Sequence, residues 1–225
     1  LRPYFKSENV INGVFEVANK LYGITFDRID KVPVWHKDVE TYKAIDEKGE
    51  YLGLLYVDLY PRSTKKGGAW MDEIRSYGLV GTEIKKPHIC FICNLTKSTK
   101  TQPSLLSFSE VETVFHEFGH CLHGLLSEVK YSTIGGTSVF WDFVELPSQI
   151  MENWVVEEEA LNLFATHYKT GEKIPKELID KLKSSKKFMS GNMCLRQLQF
   201  AYLDMAYHDN LVDIPDIEIF EEVVL

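Results

Sequence analysis

Apolar positions first recur at helical spacing between about Asn9 and Tyr22, where Val10, Val14, Val17, Ala18 and Leu21 share a face and Gly23 supplies a stop. A helix is predicted there. Between Trp35 and Leu95 the period shortens. Residues 41–45, 51–60 and 88–95 form brief β-branched, aromatic or apolar runs, separated by Glu47-Lys48-Gly49 and Lys65-Lys66-Gly67-Gly68. These runs predict a small sheet. The stretch from Tyr51 to Tyr60, which stops at Pro61, is too apolar for either face to be left in water, so both are expected to be covered. From Ser107 onward the period is helical, interrupted by Gly135-Gly136-Thr137 and by a turn from Thr170 to Pro175. The pattern predicts a helix-rich α+β fold: one unit over residues 1–225, with a helix and small sheet in 1–100 and helices in 101–225.

Composition fits that picture. With 44% hydrophobic and 26% charged residues the chain can build a core without staples. Thirty-three acids against twenty-five bases give a net charge of −8, so no field draws it toward nucleic acid or anionic lipid, and neither is expected as a partner. No apolar run reaches the ~20 residues of a membrane span, and Leu1-Arg2-Pro3-Tyr4 lacks the succession of a signal peptide. Cys90, Cys93, Cys121 and Cys194 fit a reducing compartment, so a cytoplasmic location is expected. The chain begins without Met and ends in an apolar run after acids. It is therefore expected to be a piece of a longer protein, with the rest of that chain among its partners.

The candidate chemistry lies in His116-Glu117-Phe118-Gly119-His120. Ser109 with Glu112 reads as a capping box, which predicts a helix from about Glu110 to Glu128 with Val114, Phe118, Cys121, Leu122 and Leu125 on its buried face. His116 and His120, four residues apart, project from one side of that helix, where two imidazoles can hold one Zn²⁺. Glu117 is rotated off the pair, placed to take a proton from a metal-bound water. Two His one turn apart can also form a plain polar edge.

A catalytic zinc needs three protein ligands and an open position. A third His six residues past His120 is absent, since Leu126 stands there. An acid from a second helix is the other common solution, and Glu145, twenty-five residues past His120, offers one. Its alternative is a helix-start acid favoured by the dipole. Asp142 with Glu145 reads as a capping box, whereas Pro147 prefers a first-turn position, so two helix starts compete. Ser148, Gln149 and Glu152 are candidates to orient the ligands from behind. The Gly135-Gly136-Thr137 loop either reverses the chain or also holds substrate backbone. Cys90 and Cys93 read as buried thiols on opposite strand faces, His123 as a bystander, and Glu157-Glu158-Glu159 and residues 181–187 as solvated helix surface.

These residues resemble the thimet oligopeptidase family of zinc peptidases. The likeness rests on the stretches 116–124, Asp142-Phe143-Val144-Glu145-Leu146-Pro147-Ser148-Gln149 and Glu152-Asn153-Trp154. It extends to residues 54–62, Gly67-Gly68-Ala69-Trp70, His167-Tyr168-Lys169-Thr170-Gly171 and Leu195-Arg196-Gln197-Leu198. The resemblance implies that His116, His120 and Glu145 are ligands of one Zn²⁺ and that Glu117 is the general base and acid. It further implies a deep channel admitting short peptides, with activity either as an oligopeptidase or as a peptidyl-dipeptidase. The family's large N-terminal helical portion is missing, as is its later His/Tyr/Gly-rich substrate-binding segment; Tyr202, Tyr207 and His208 precede that segment and read as ordinary helix residues. The chain is thus expected to be the zinc-bearing middle of a longer enzyme, feeble in cleavage alone. The alternative is a noncatalytic peptide-binding or scaffold piece with a structural zinc.

Overall fold

The computed structural model describes residues 1–209 and 214–224. Helix α1 (Ser7–Tyr22) buries Val10, Val14, Val17 and Ala18 and ends at Gly23 in the left-handed conformation, φ 70°. Leu21, expected on the same face, is exposed. Five strands then form one sheet: β1 (Thr25–Ile29), β2 (Glu40–Ile45), β3 (Tyr51–Asp58), β4 (Trp70–Arg75) and β7 (His88–Ile92), in the order β1-β2-β3-β7-β4. Only the β3–β7 pair is parallel. The strands β5 (Gly78–Val80) and β6 (Glu83–Lys85) make a separate two-stranded hairpin.

The three strands anticipated from apolar runs are the interior ones, although β3 stops at Asp58 and β7 at Ile92. The edge strands β1 and β4 carry no such run. Thr-Phe-Asp-Arg-Ile and Trp-Met-Asp-Glu-Ile-Arg have the charged composition of strands whose outer side meets water, and apolar periodicity alone does not mark them.

Both faces of β3 and β7 are covered, as their apolarity requires. Leu55, Val57, Ile89 and Phe91 are almost fully buried on the helical side, where α2 (Phe108–Leu125) packs against β3, β4 and β7. Phe118 centres this layer, its ring lying 5.5 Å from Phe15 and Phe26 and 6.0 Å from Phe91. On the opposite side Tyr56 and Cys90 pack with Val39 and Val32, contributed by the segment between β1 and β2. The five residues expected on the buried face of α2 are all buried.

The start of α2 corrects the expected cap. Ser107 is the N-cap: its hydroxyl accepts from the Glu110 amide at 3.2 Å, and Glu110 in return accepts from the Ser107 amide at 2.7 Å. Both Ser107-x-x-Glu110 and Ser109-x-x-Glu112 satisfy the sequence pattern. The choice falls to Glu110 because its other oxygen accepts from the Thr96 amide at 2.6 Å and the Thr96 hydroxyl at 2.8 Å, a distant pairing.

Beyond α2 come α3 (Trp141–Val144), α4 (Leu146–Met151), α5 (Glu158–Phe164), α6 (Lys176–Lys187), α7 (Ser190–His208) and α8 (Ile217–Val224). The chain divides into two compact units, Leu1–Ile179 and Asp180–Leu225. The first holds the sheet, α1 to α5 and the residues singled out for chemistry. In the second, Tyr207 donates to Glu221 at 2.9 Å and stacks near Phe220 at 5.0 Å, an ordinary helix–helix contact. Among the described residues no helix is long and apolar enough to cross a membrane.

The corrected cap separates two substitutions. Ser107→Ala is expected to destabilise the fold by about 1 kcal/mol, while Ser109→Ala stays within about 0.5 kcal/mol of the parent; urea unfolding of both variants measures the difference.

Candidate metal centre

His116 and His120 stand one turn apart on α2, with ring centroids 5.0 Å apart and planes nearly perpendicular. Their Nε2 atoms converge on a single oxygen, Glu145 Oε2, at 3.2 Å each. Glu145 occupies the joint between α3 and α4, with φ −87° and ψ −3°. Of the two competing helix starts, Pro147 prevails: it sits in the first turn of α4, and Asp142 makes no capping hydrogen bond.

What permits the convergence is Gly119. A Cβ there would lie 2.5 Å from the Cα of Ser148 and 2.6 Å from the carbonyl oxygen of Pro147, both backbone atoms of α4. No rotamer change relieves such a clash, so only glycine lets the two helices come this close. Ser148, completely buried at this crossing, turns its hydroxyl to Glu145 Oε2 at 2.7 Å and to the Glu145 carbonyl at 2.9 Å.

Behind His116 stands Glu152, whose Oε1 lies 2.6 Å from Nδ1. In the neutral tautomer that carries its proton on Nδ1, this contact is a hydrogen bond to Glu152 and the Nε2 lone pair faces Glu145. Of the three residues expected to orient ligands, Ser148 and Glu152 are brought to them. Gln149 is exposed and makes no hydrogen bond to the three side chains. His120 is 9% exposed, and its Nδ1 has no partner among the described residues.

Glu117 is mostly buried, on the cavity side of α2. Burial pushes its carboxyl above the usual range; His116 works against the rise, Glu145 adds to it, and a hydrogen bond from the Met71 backbone N–H opposes it. Burial lowers His120, so that its imidazole is neutral at pH 7. Glu145 moves the other way from Glu117. Burial pulls it up, but the Ser148 hydroxyl and the two imidazoles together hold it below the ordinary carboxylate value. Two carboxyl groups side by side thus acquire opposite tendencies, one toward holding a proton and one toward staying ionised.

The three convergent side chains and Glu117 open into a cleft of about 410 Å³, lined also by Ala69, Trp70, Met71, Thr137 and Val144. Thr137 therefore reaches the cleft, whereas Gly135 and Gly136 are not among its lining residues. Gly136 has φ 56°, donates its N–H to the Ser127 hydroxyl at 2.9 Å, and would clash with the Glu73 carboxylate at 2.3 Å if it carried a Cβ. At Gly136 the left-handed backbone itself calls for glycine. The lining by Ala69, Trp70 and Met71 was invisible in the apolar pattern, because it comes from the start of the edge strand β4 and the residue just before it.

The donor set fits a zinc ion. His116, His120 and Glu145 each offer one ligand atom, all within 4.8 Å of one another. Donors arranged tetrahedrally at ~2.0–2.1 Å from zinc lie about 3.3 Å apart, close to the separations of each imidazole from Glu145.

The chain thus presents a helix bearing two His and a Glu, with a carboxylate brought to them from the α3–α4 joint. It belongs to peptidase family M3, whose family model matches residues 1–220. It is 44% identical over 210 residues to oligopeptidase A of Escherichia coli, covering 92% of this chain and 31% of that protein. With the organellar oligopeptidase A of Arabidopsis thaliana it shares 42% over 219 residues, 94% of this chain and 28% of the relative. The dipeptidyl carboxypeptidase of Escherichia coli is 38% identical over 225 residues, 97% of this chain and 33% of the relative. The chain thus spans about a third of the length of the curated relatives it matches.

Two substitutions probe this geometry. Gly119→Ala must push α4 away from α2 and is expected to weaken zinc uptake at least tenfold, since a carboxylate displaced by an ångström no longer shares the ion. Glu152→Ala, which frees the His116 ring, is expected to cost about 10–100-fold in zinc affinity with little change in fold. Competition with a chromogenic chelator measures both, and circular dichroism checks the fold.

Proposed function

We propose that this chain carries the active site of a zinc metallopeptidase that hydrolyses short oligopeptides, acting as an oligopeptidase or a peptidyl-dipeptidase. The observation that carries the reading is the meeting of His116 Nε2 and His120 Nε2 on one oxygen of Glu145, beside a buried Glu117 whose pKa is raised. The names of the relatives, oligopeptidase A and dipeptidyl carboxypeptidase, support the substrate class.

His116, His120 and Glu145 would hold the ion. An ion held there would supply Lewis acidity, lowering the pKa of a water toward ~7 and polarising the scissile carbonyl. Glu117 then does the proton work: it accepts the proton of the attacking water and delivers it to the leaving amine as the C–N bond breaks. Its upward-shifted pKa, caused first by burial, makes it a readier proton acceptor than an ordinary exposed carboxylate. Glu145 is kept anionic by Ser148 and the imidazoles, as a ligand must be. Glu152 fixes the tautomer of His116.

The peptide finds its place along β4. This strand is the open edge of the sheet, its inner side paired with β7 and its first residues lining the cleft. An extended peptide can add to such an edge through backbone hydrogen bonds, which are indifferent to side-chain sequence.

The rival reading, a scaffold stapled by structural zinc, expects a closed shell of four protein ligands. Among the described residues the group has three members, which favours the hydrolase. The chain is expected to take up zinc and to cleave feebly.

Glu117→Gln is expected to retain zinc and lose about 10²- to 10⁴-fold in kcat, the usual worth of a general base. Metal analysis beside peptide turnover measures it, and undiminished turnover removes Glu117 from the mechanism. Cleavage mapping on peptides with free and amidated C-termini assigns the mode: release of C-terminal dipeptides requires the free carboxylate, internal cleavage does not.

A further inference from the structure

The segment that delivers β4 to the cleft is held by side chains with no part in the chemistry above. β3 and β7 run parallel, and a segment leaves the end of each: residues 59–69 lead from β3 to β4, and residues 93–107 lead from β7 to α2. Backbone bonds join them at the root, from the Cys93 N–H to the Asp58 carbonyl at 2.9 Å and from the Leu95 N–H to the Leu59 carbonyl at 2.8 Å.

Lys65 ties the root further. Its side chain is 3% exposed, and its ammonium donates to Asp58 Oδ1 at 2.9 Å, to the carbonyls of Asp58 at 2.8 Å and Tyr60 at 3.2 Å, and to the carbonyl of Cys93. The Asp58 carboxylate also receives both terminal nitrogens of Arg62, at 2.8 and 2.9 Å, and the Trp35 indole at 2.9 Å. Farther out, the Asn94 amide donates to the carbonyls of Lys66 at 2.9 Å and Gly68 at 2.7 Å. The next three residues are Ala69, Trp70 and Met71, all lining the cleft, and the Met71 N–H meets Glu117.

Burying this many charges is a poor route to stability, since apolar residues of the same volume would serve as well. What the charged and amide donors add is direction. Lys65 fixes the carbonyls of Asp58, Tyr60 and Cys93 and Asn94 those of Lys66 and Gly68, so the connection from β3 has one path instead of many. Resting on the peptide-hydrolase reading, we infer that Lys65 and Asn94 are positioning residues that preset the first residues of β4 as the docking edge for the peptide. They act through Ala69–Met71 and touch neither substrate nor metal. A loosened edge must be ordered at each binding event, so the loss falls on binding and leaves the chemical step intact.

Asn94 is the cleaner test, because it is half-exposed and leaves no buried charge behind. In the zinc-loaded protein, Asn94→Ala is expected to speed amide hydrogen exchange over residues 66–71 about tenfold, a factor within the worth of one or two hydrogen bonds, with α1 and α2 unchanged. KM for oligopeptides should rise by a similar factor while kcat and zinc content hold. Asn94→Asp, equal in size but with no proton to donate, should match it, and Lys65→Met should show the same pattern where it folds. A lowered melting temperature with unchanged KM overturns the proposal, because it marks a purely structural brace. If the protein holds zinc yet cleaves no peptide, the hydrolase reading fails. The exchange arm then still decides whether Asn94 positions the edge, and unchanged exchange over 66–71 overturns that in either case.

Discussion

The close crossing of α2 and α4 at Gly119 is the constraint on which the candidate site depends. Two imidazoles on successive turns of one helix provide only half a metal shell, and the third donor must come from elsewhere in the fold. Glu145 is 48% exposed and sits at a joint between short helices, where the Ser148 hydroxyl steadies its carboxylate but does not by itself bring it to the imidazoles. It is fixed because the backbone of Pro147 and Ser148 lies against Gly119, where any Cβ would intrude. A glycine within a helix costs about 1 kcal/mol relative to alanine. Here that local loss is the condition for a contact the site cannot do without.

The same crossing sets the electrostatics. By bringing Glu145 against both imidazoles it holds that carboxylate ionised, and by leaving Glu117 buried beside it raises the other. One helix pair thus gives the two acids opposite tendencies, Glu145 toward staying ionised and Glu117 toward holding a proton. Ser148 belongs to both arguments, since it is the residue Gly119 accommodates and the donor that steadies Glu145.

Much of this was legible in the sequence, and the exceptions share a cause. The spacing of His116, Glu117 and His120 determines their relative placement because a helix has one period. The apolar faces of α1 and α2 and the interior strands were readable for the same local reason. Glu145 was different: residue spacing left it open between a ligand and a helix-start acid, and only the resemblance to a peptidase family favoured the ligand. Asp142 and Pro147 gave opposite signals for the start of its helix, and tertiary packing decided for Pro147. The cap of α2 was misplaced by two residues because two Ser-x-x-Glu patterns overlap, and the partner that distinguishes them, Thr96, lies fourteen residues before Glu110. The edge strands β1 and β4 escaped notice because solvent exposure removes the apolar alternation that reveals a strand.

The Asp58, Arg62 and Lys65 cluster is the extreme case. Charged residues scattered after a strand carry no local sign that they will be buried, since what completes their cluster, the Cys93 carbonyl and the Trp35 indole, comes from other segments. Yet these residues stand where the sheet gives way to the cleft, and the need for them follows from the topology. A sheet interior is ordered on both sides, but its edge strand is paired on one side only and enters the site through a connection of some ten residues. For an edge that receives a substrate, the free side must stay unpaired, so rigidity has to be supplied from the connection itself. Buried donors with fixed acceptors provide it without occupying the edge, which is how a strand can be both open to a peptide and held in place.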